Sequence, residues 1–214
     1  RALGSPFVEA VGYMRLGHAF QIGKPKPDKA EACYQKAIAM SKSLQVSRAT
    51  VEPLWGLTRV YGFFGDAARA EACAREGIDI ALAAGDEWIA ALVRLTLGAV
   101  YVHTNQIPQA LEELSRAETA FLRCSDAFAR TACRLWLSLA CLDGGDPAAF
   151  ALHTDTLLRL VRENDCAALL TGPSFLAPAD PQRCIPLLME ARRRRIHVAY
   201  VSRLLDDLGV AEFE

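Results

Sequence analysis

Apolar residues recur along most of this chain at spacings of three and four, the period of one helix face, and short polar turns interrupt the runs. The pattern predicts helices over 5–23, 27–44, 49–64, 67–84, 87–104, 107–124, 127–142 and 147–163, then two shorter ones over 182–194 and 198–208. Turn chemistry marks the interruptions. Gly65-Asp66, Gly85-Asp86 and Gly145-Asp146-Pro147 each set a glycine where a helix ends and an aspartate where the next is capped, and Pro147 takes a first helical position. Pro27 and Pro108 open two further helices in the same way. In "TGPSFLAPADP", residues 171–181, the periodicity stops, which predicts a loop.

The helices repeat in pairs. Sliding the chain on itself by about forty residues aligns "MRLGHAF", "WGLTRVY" and "RLTLGAVY". Leu16, Leu57, Leu97 and Leu137 follow at intervals of 41, 40 and 40, and Ala30, Ala70, Ala110 and Phe150 at 40 throughout. Tyr34, Ala74, Leu114 and Thr154 form a third column, and Ala37, Gly77, Ala117 and Leu157 a fourth. Each unit places Leu-x-x-x-Tyr/Phe on a first helix and Ala-x-x-x-large-x-x-small on a second, so each set lies on one helical face. Small residues at Gly17, Gly98 and the alanine column let paired helices approach, with Tyr61 or Tyr101 filling the remaining space. The predicted fold is all-α: about four antiparallel hairpins in a right-handed superhelix, with the last helix pair as a cap. The expected organisation is repeats over 1–170 (units near 5–45, 48–85, 86–125 and 126–165), a loop at 171–181 and a cap at 182–209.

Composition narrows the function classes. With 24 basic against 25 acidic residues, no overall field draws the chain to nucleic acid or an anionic membrane. No apolar run is long enough for a membrane span, and no secretory signal is visible. The chain begins at Arg1 and is read as a piece of a longer, cytoplasmic protein. Seven cysteines, with no CxxC pair, sit mostly at alanine-like helical positions and are expected to be reduced core thiols. His18, His103, His153 and His197 fall in different units without HExxH, so no metal site is expected. Neither G-x-S-x-G nor a phosphate-binding G-x-x-x-x-G-K-[ST] occurs, so neither catalysis nor a cofactor is expected. Arg192 to Arg195 splay around a helix and complement its negative end rather than forming a nucleic-acid stripe.

The repeat columns resemble the tetratricopeptide repeat. "GSPFVEAVGYMRLGHAFQIG" (4–23) and "PLLMEARRRRIHVAYVSRLLDDLG" (186–209), with its LL-x-x-A-x-x-x-x-I-H-x-x-Y-V-x-x-LL pattern, resemble the two ends of one particular domain. That domain is the helical repeat region of bacterial signal-transducing ATPase regulators: the maltose-regulon activator, LuxR-type relatives and regulators with a bacterial transcriptional activator domain. One departure is Arg195, where the family has glycine, so the arginine must turn left-handed or the helix must end differently. The resemblance implies a sensor or interaction domain lying between ATPase and DNA-binding modules of the parent chain, receiving a small-molecule inducer or a regulatory protein. From the charge balance and the lack of a long apolar run, no direct nucleic-acid or membrane contact is expected, and self-association is left open.

In tetratricopeptide repeats the first helices line a concave groove. With Leu16, Leu57 and Leu97 aligned, the inward rows are Val11, Met14, His18 and Gln21; Glu52, Trp55, Arg59 and Gly62; and Leu92, Leu95, Ala99 and Val102. The candidate ligand or partner site is Met14, His18, Glu52, Trp55 and Arg59, where an aromatic face beside a fixed cation suits a sugar, an acidic peptide or a carboxylate metabolite. The alternatives are a small-molecule pocket and a general scaffold binding a peptide or partner domain in an open groove.

Overall fold

The structure, a computed structural model, describes residues 4–21, 25–171 and 181–210. Its helices are α1 (Pro6–Gln21), α2 (Pro27–Ser43), α3 (Val51–Phe64), α4 (Ala67–Ala83), α5 (Glu87–His103), α6 (Ile107–Arg123), α7 (Ala127–Asp143), α8 (Pro147–Glu163), α9 (Ile185–Arg193) and α10 (Val198–Asp207). Short 3-10 turns lie at Ser47–Thr50, Ala167–Thr171 and Pro181–Cys184, and the described residues contain no strand. Residues 172–180 of the predicted 171–181 loop lie outside the described residues.

The periodicity is set at the turns. From α4 to α8 each helix has 17 residues. The residue just past the helix end is left-handed at Gln45, Gly65, Gly85, Asn105, Ser125, Gly145 and Asp165, one every 20 positions. The next amide then donates back across the last turn, as Asp66 N does to Tyr61 O (2.8 Å), Gln106 N to Tyr101 O (2.7 Å) and Asp126 N to Phe121 O (2.9 Å). At four of these junctions an aspartate opens the next helix: Asp66, Asp86, Asp126 and Asp146 accept from the amides of Arg69, Ile89, Ala129 and Ala149.

The chain forms two compact units, Arg1–Ala120 and Phe121–Glu214. In the first, Tyr34 is fully buried in a core with Ala30, Leu57, Val60, Tyr61, Ala70 and Val100. Gly98 lies against Leu114, which packs α5 on α6 as an antiparallel hairpin. The first unit also corrects one column. Leu16 is 49% exposed, whereas Leu57, Leu97 and Leu137 are at 4%, 0% and 1%. The buried residue 40 positions before Leu57 is Gly17, whose missing side chain makes room for the Tyr34 ring, so the interval of 41 had marked a shift by one residue.

In the second unit α7 pairs with α8, with Trp136, Leu139, Leu157 and Val161 buried, and α9 packs on α10, with Leu187, Leu188, Val201 and Leu205 buried. The fourth hairpin exchanges volumes relative to its predecessors: Cys141 stands where Tyr61 and Tyr101 stand, and Phe150 takes the place of the alanines. The two line a shallow apolar depression of about 160 Å³ beside Leu142 and Pro147. Arg193 and Arg194 ion-pair with Glu190 at 2.5 Å, Arg194 also with Asp155, and the two arginines hold the Glu190 carboxyl at about 2.

Arg195 ends α9 in the left-handed conformation, φ 55°, with Ile196 N donating to Ala191 O at 3.0 Å. A left-handed L-residue is disfavoured by about 1–2 kcal/mol, part of which glycine gives back through its freer unfolded chain. Arg195→Gly is therefore expected to stabilise the protein by about 0.5–1 kcal/mol, read as a higher thermal midpoint. A lower midpoint would mean that the arginine side chain contributes more than its backbone costs.

Candidate functional site

Within the first unit, α1, α3 and α5 bring three of the five candidate residues into contact. The His18 ring meets Trp55 edge-on, with centroids 5.5 Å apart, and Tyr34 likewise at 5.5 Å. The Arg59 guanidinium lies 5.6 Å from the Trp55 ring centroid, within cation–π range. Trp55 is half-buried, and its indole N–H donates to Thr96 Oγ1 at 2.7 Å, which fixes the ring against α5. Gln21, at the end of α1, joins the group. Its Oε1 accepts from Arg59 Nη1 (3.1 Å) and Tyr34 OH (3.0 Å), and its Nε2 donates to Gly56 O (2.8 Å).

Met14 and Glu52 are not part of this contact set. Met14 is a core residue, 7% exposed, and Glu52 is half-buried with no side-chain hydrogen bond or ion pair to a described residue. The shifted register explains the first case: with Gly17 in the column, Met14 corresponds to buried Leu54 and His18 to buried Thr58, so neither shares the row of Trp55 and Arg59. His18 reaches Trp55 from the adjacent helix. In the third hairpin the expected inward residues Leu92, Leu95, Ala99 and Val102 are at most 7% exposed and serve as packing. Spacing puts Gln21 on an inward row but assigns it no role, and the parts played by Thr96 and Tyr34 are not visible in any one helix because each acts across a helix boundary.

Burial sets the electrostatics. Arg59 is 6% exposed, and desolvation brings its pKa down to about 10. His18 is lowered to about 4, first by burial and then by the charges of Arg15 and Arg59, so it is neutral at pH 7. Because the folded value lies below the ordinary 6.5, the unfolded chain binds a proton that the folded chain does not between about pH 6.5 and 4. Stability is thus expected to fall through that window on acidification. His18→Gln should flatten the fall when urea midpoints are compared at pH 7 and pH 4.5, and parallel curves for the two proteins would exclude this role.

A second polar system ties neighbouring hairpins. Tyr61 OH donates to Glu31 Oε1 at 2.8 Å, while Arg69 donates to that hydroxyl at 2.5 Å and covers the Tyr61 ring at 3.7 Å. One repeat later Tyr101 OH meets Arg75 at 3.5 Å, and Arg75 pairs with Glu71 at 3.5 Å. Glu113, almost wholly buried, bridges Arg75 (2.5 Å) and Arg94 (2.6 Å). Forty residues on, the places of Arg94 and Glu113 hold Arg134 and His153, whose Nη1 and Nδ1 are 2.7 Å apart.

Among the described residues no group of three or more His, Cys, Asp or Glu side chains is arranged to hold a metal ion, and no helix is long and apolar enough to cross a membrane. The cysteines are free thiols, with Cys133, Cys141 and Cys184 buried and Cys124 exposed.

No family model matches the sequence, and no curated protein matches it. Solved structures do. The apo form of RapI superposes with a TM-score of 0.71 at 12% identity, over 97% of this chain and 80% of that one. BtubC (BKLC) from P. vanneervenii gives 0.66 at 18% identity, over 78% and 68%. A Podosopora anserina putative kinesin light chain with nearly identical TPR-like repeats gives 0.65 at 14% identity, over 96% and 98%. At these identities the likeness establishes the fold, an all-α stack of tetratricopeptide-like helix hairpins.

Proposed function

We propose that this chain is a non-catalytic sensor domain of a bacterial transcription regulator, and that it receives a small-molecule inducer or a regulatory partner on the inner side of its first helices. Residues 1–170 are the sensing repeats and 182–209 the helical pair that caps them, in a cytoplasmic regulator whose ATPase and DNA-binding modules are its partners in the parent chain. Support comes from the terminal sequence patterns and from a fold that builds extended binding surfaces without catalytic machinery. The observation that carries the site is Trp55. It is a half-buried aromatic ring held by Thr96 on one side and set beside a buried arginine and a neutral histidine on the other. Such a ring is a rigid anchor with little conformational freedom left to lose on binding.

Titration against a panel of oligosaccharides, dicarboxylates and short acidic peptides, read by tryptophan fluorescence, tests the reading. A binder should weaken by about 1–3 kcal/mol on Trp55→Ala or Arg59→Ala, and Trp55→Phe should remove the signal while retaining most of the affinity. Binding that survives both alanine variants unchanged moves the site elsewhere. A response to peptides alone favours the scaffold reading over the inducer.

A further inference from the structure

The first helix leaves open a face that its successors cover. Leu16, Ala19 and Phe20 of α1 stand 40 residues before Gly56, Arg59 and Val60 of α3. The three α3 residues are buried, as are Thr96, Ala99 and Val100 a further repeat on. In α1, however, Leu16 is 49% exposed, Ala19 is exposed and Phe20 only half-buried. The cover in the later helices comes from the preceding hairpin: the Tyr34 ring of α2 lies on Gly56, the Trp55 indole of α3 on Thr96, and Gly62 of α3 on Val100.

Two further observations describe what would fit there. Gly17, Gly56, Gly62 and Gly98 each have a side chain where a Cβ would stand, and Gly77 has ordinary neighbours, but Gly12 has nothing within 4 Å. A glycine inside a helix weakens it, and close approach of another element is the usual compensation. The other observation is charge. Lys42 of α2 pairs with Glu76 of α4 at 3.0 Å, yet the residue at the Glu76 place in α2 is Lys36, exposed and bonded to the Tyr13 hydroxyl at 2.5 Å.

From these we infer that the outer face of α1 is a docking surface for a further helical hairpin of this repeat type, stacked in register before α1, with a small residue facing Leu16 and a carboxylate facing Lys36. The surface continues the junctions already built between α2 and α3 and between α4 and α5. Leu16 is larger than Gly56, so a tyrosine like Tyr34 would collide with it, whereas an alanine, as at Ala74, fits.

Fusing a copy of residues 47–86 directly before Phe7 supplies such a hairpin in register, with leucine at the Trp55 place and glutamate at the Leu82 place of the copy. The fused chain is expected to unfold in one transition at a higher temperature than the parent, with amide exchange at Gly12 slowed by about tenfold or more. Leu16→Glu should abolish that gain in the fused chain and leave the unfused chain nearly unchanged. A fused chain that unfolds at or below the parent temperature, or a Leu16→Glu effect equal in both chains, overturns the inference. An unfused chain that sediments as a dimer, and is split by Leu16→Glu, overturns it in favour of a second copy on the same face.

Discussion

Gly56→Ala is expected to destabilise the protein by about 2 kcal/mol, although alanine is the better helix former by about 1 kcal/mol. The added Cβ would stand 2.3 Å from Cζ of Tyr34 and 2.6 Å from both its Cε atoms. The ring cannot retreat. On its other side a Cβ at Gly17 would already be 2.5 Å away, so the ring fills a slot between two glycines, and its hydroxyl is tethered to Gln21. Tyr34 is fully buried, and the strain must spread into Leu57, Val60 and Ala70. Urea denaturation checks the loss, and Gly12→Ala is the control: with open space at its Cβ position, it should stabilise by up to about 1 kcal/mol. Tyr34→Leu should make Gly56→Ala less costly in a double-mutant cycle. If Gly56→Ala is as stable as the parent, the ring is not held between the two glycines.

That slot also shows what the sequence could and could not reveal. The forty-residue period was legible because its columns alternate small and large residues, and the helix ends were legible wherever Gly-Asp marked them. The other left-handed turns, at Gln45, Asn105, Ser125 and Asp165, carry no glycine and were visible only as gaps in the pattern. Leu16 was drawn into the leucine column because it is apolar; the column in fact runs through Gly17, whose partner Tyr34 lies on a different helix. The site divides along the same line. Trp55 and Arg59 share one face of one helix, which spacing reports directly. The bonds to Gln21 and Thr96 join four helices, α1, α2, α3 and α5, which no single-helix pattern contains.

Glu113→Ala is expected to cost about 3 kcal/mol, the low end of what breaking a buried ion pair costs. The Glu113 carboxylate is 3% exposed, and each oxygen meets a guanidinium, Arg75 at 2.5 Å and Arg94 at 2.6 Å. Arg75 is 44% exposed and has Glu71 beside it, so it recovers water and a partner when Glu113 is removed. Arg94, 17% exposed, recovers much less, and its stranded charge accounts for most of the loss. The earlier hairpins show the alternative, for the places of Arg94 and Glu113 are held by Leu54 and Cys73 in the second and by Met14 and Cys33 in the first. An apolar pair therefore packs in this fold at this position. Replacing Arg94 and Glu113 together by leucine and cysteine should return most of the stability lost in Glu113→Ala, since exchanging a whole buried ion pair for apolar groups is often neutral or favourable. Chemical denaturation of the single and double variants decides the matter. A double variant no more stable than Glu113→Ala would show that the triad supplies geometry that packing cannot replace, and a harmless Glu113→Ala would show that Arg94 finds water despite its burial.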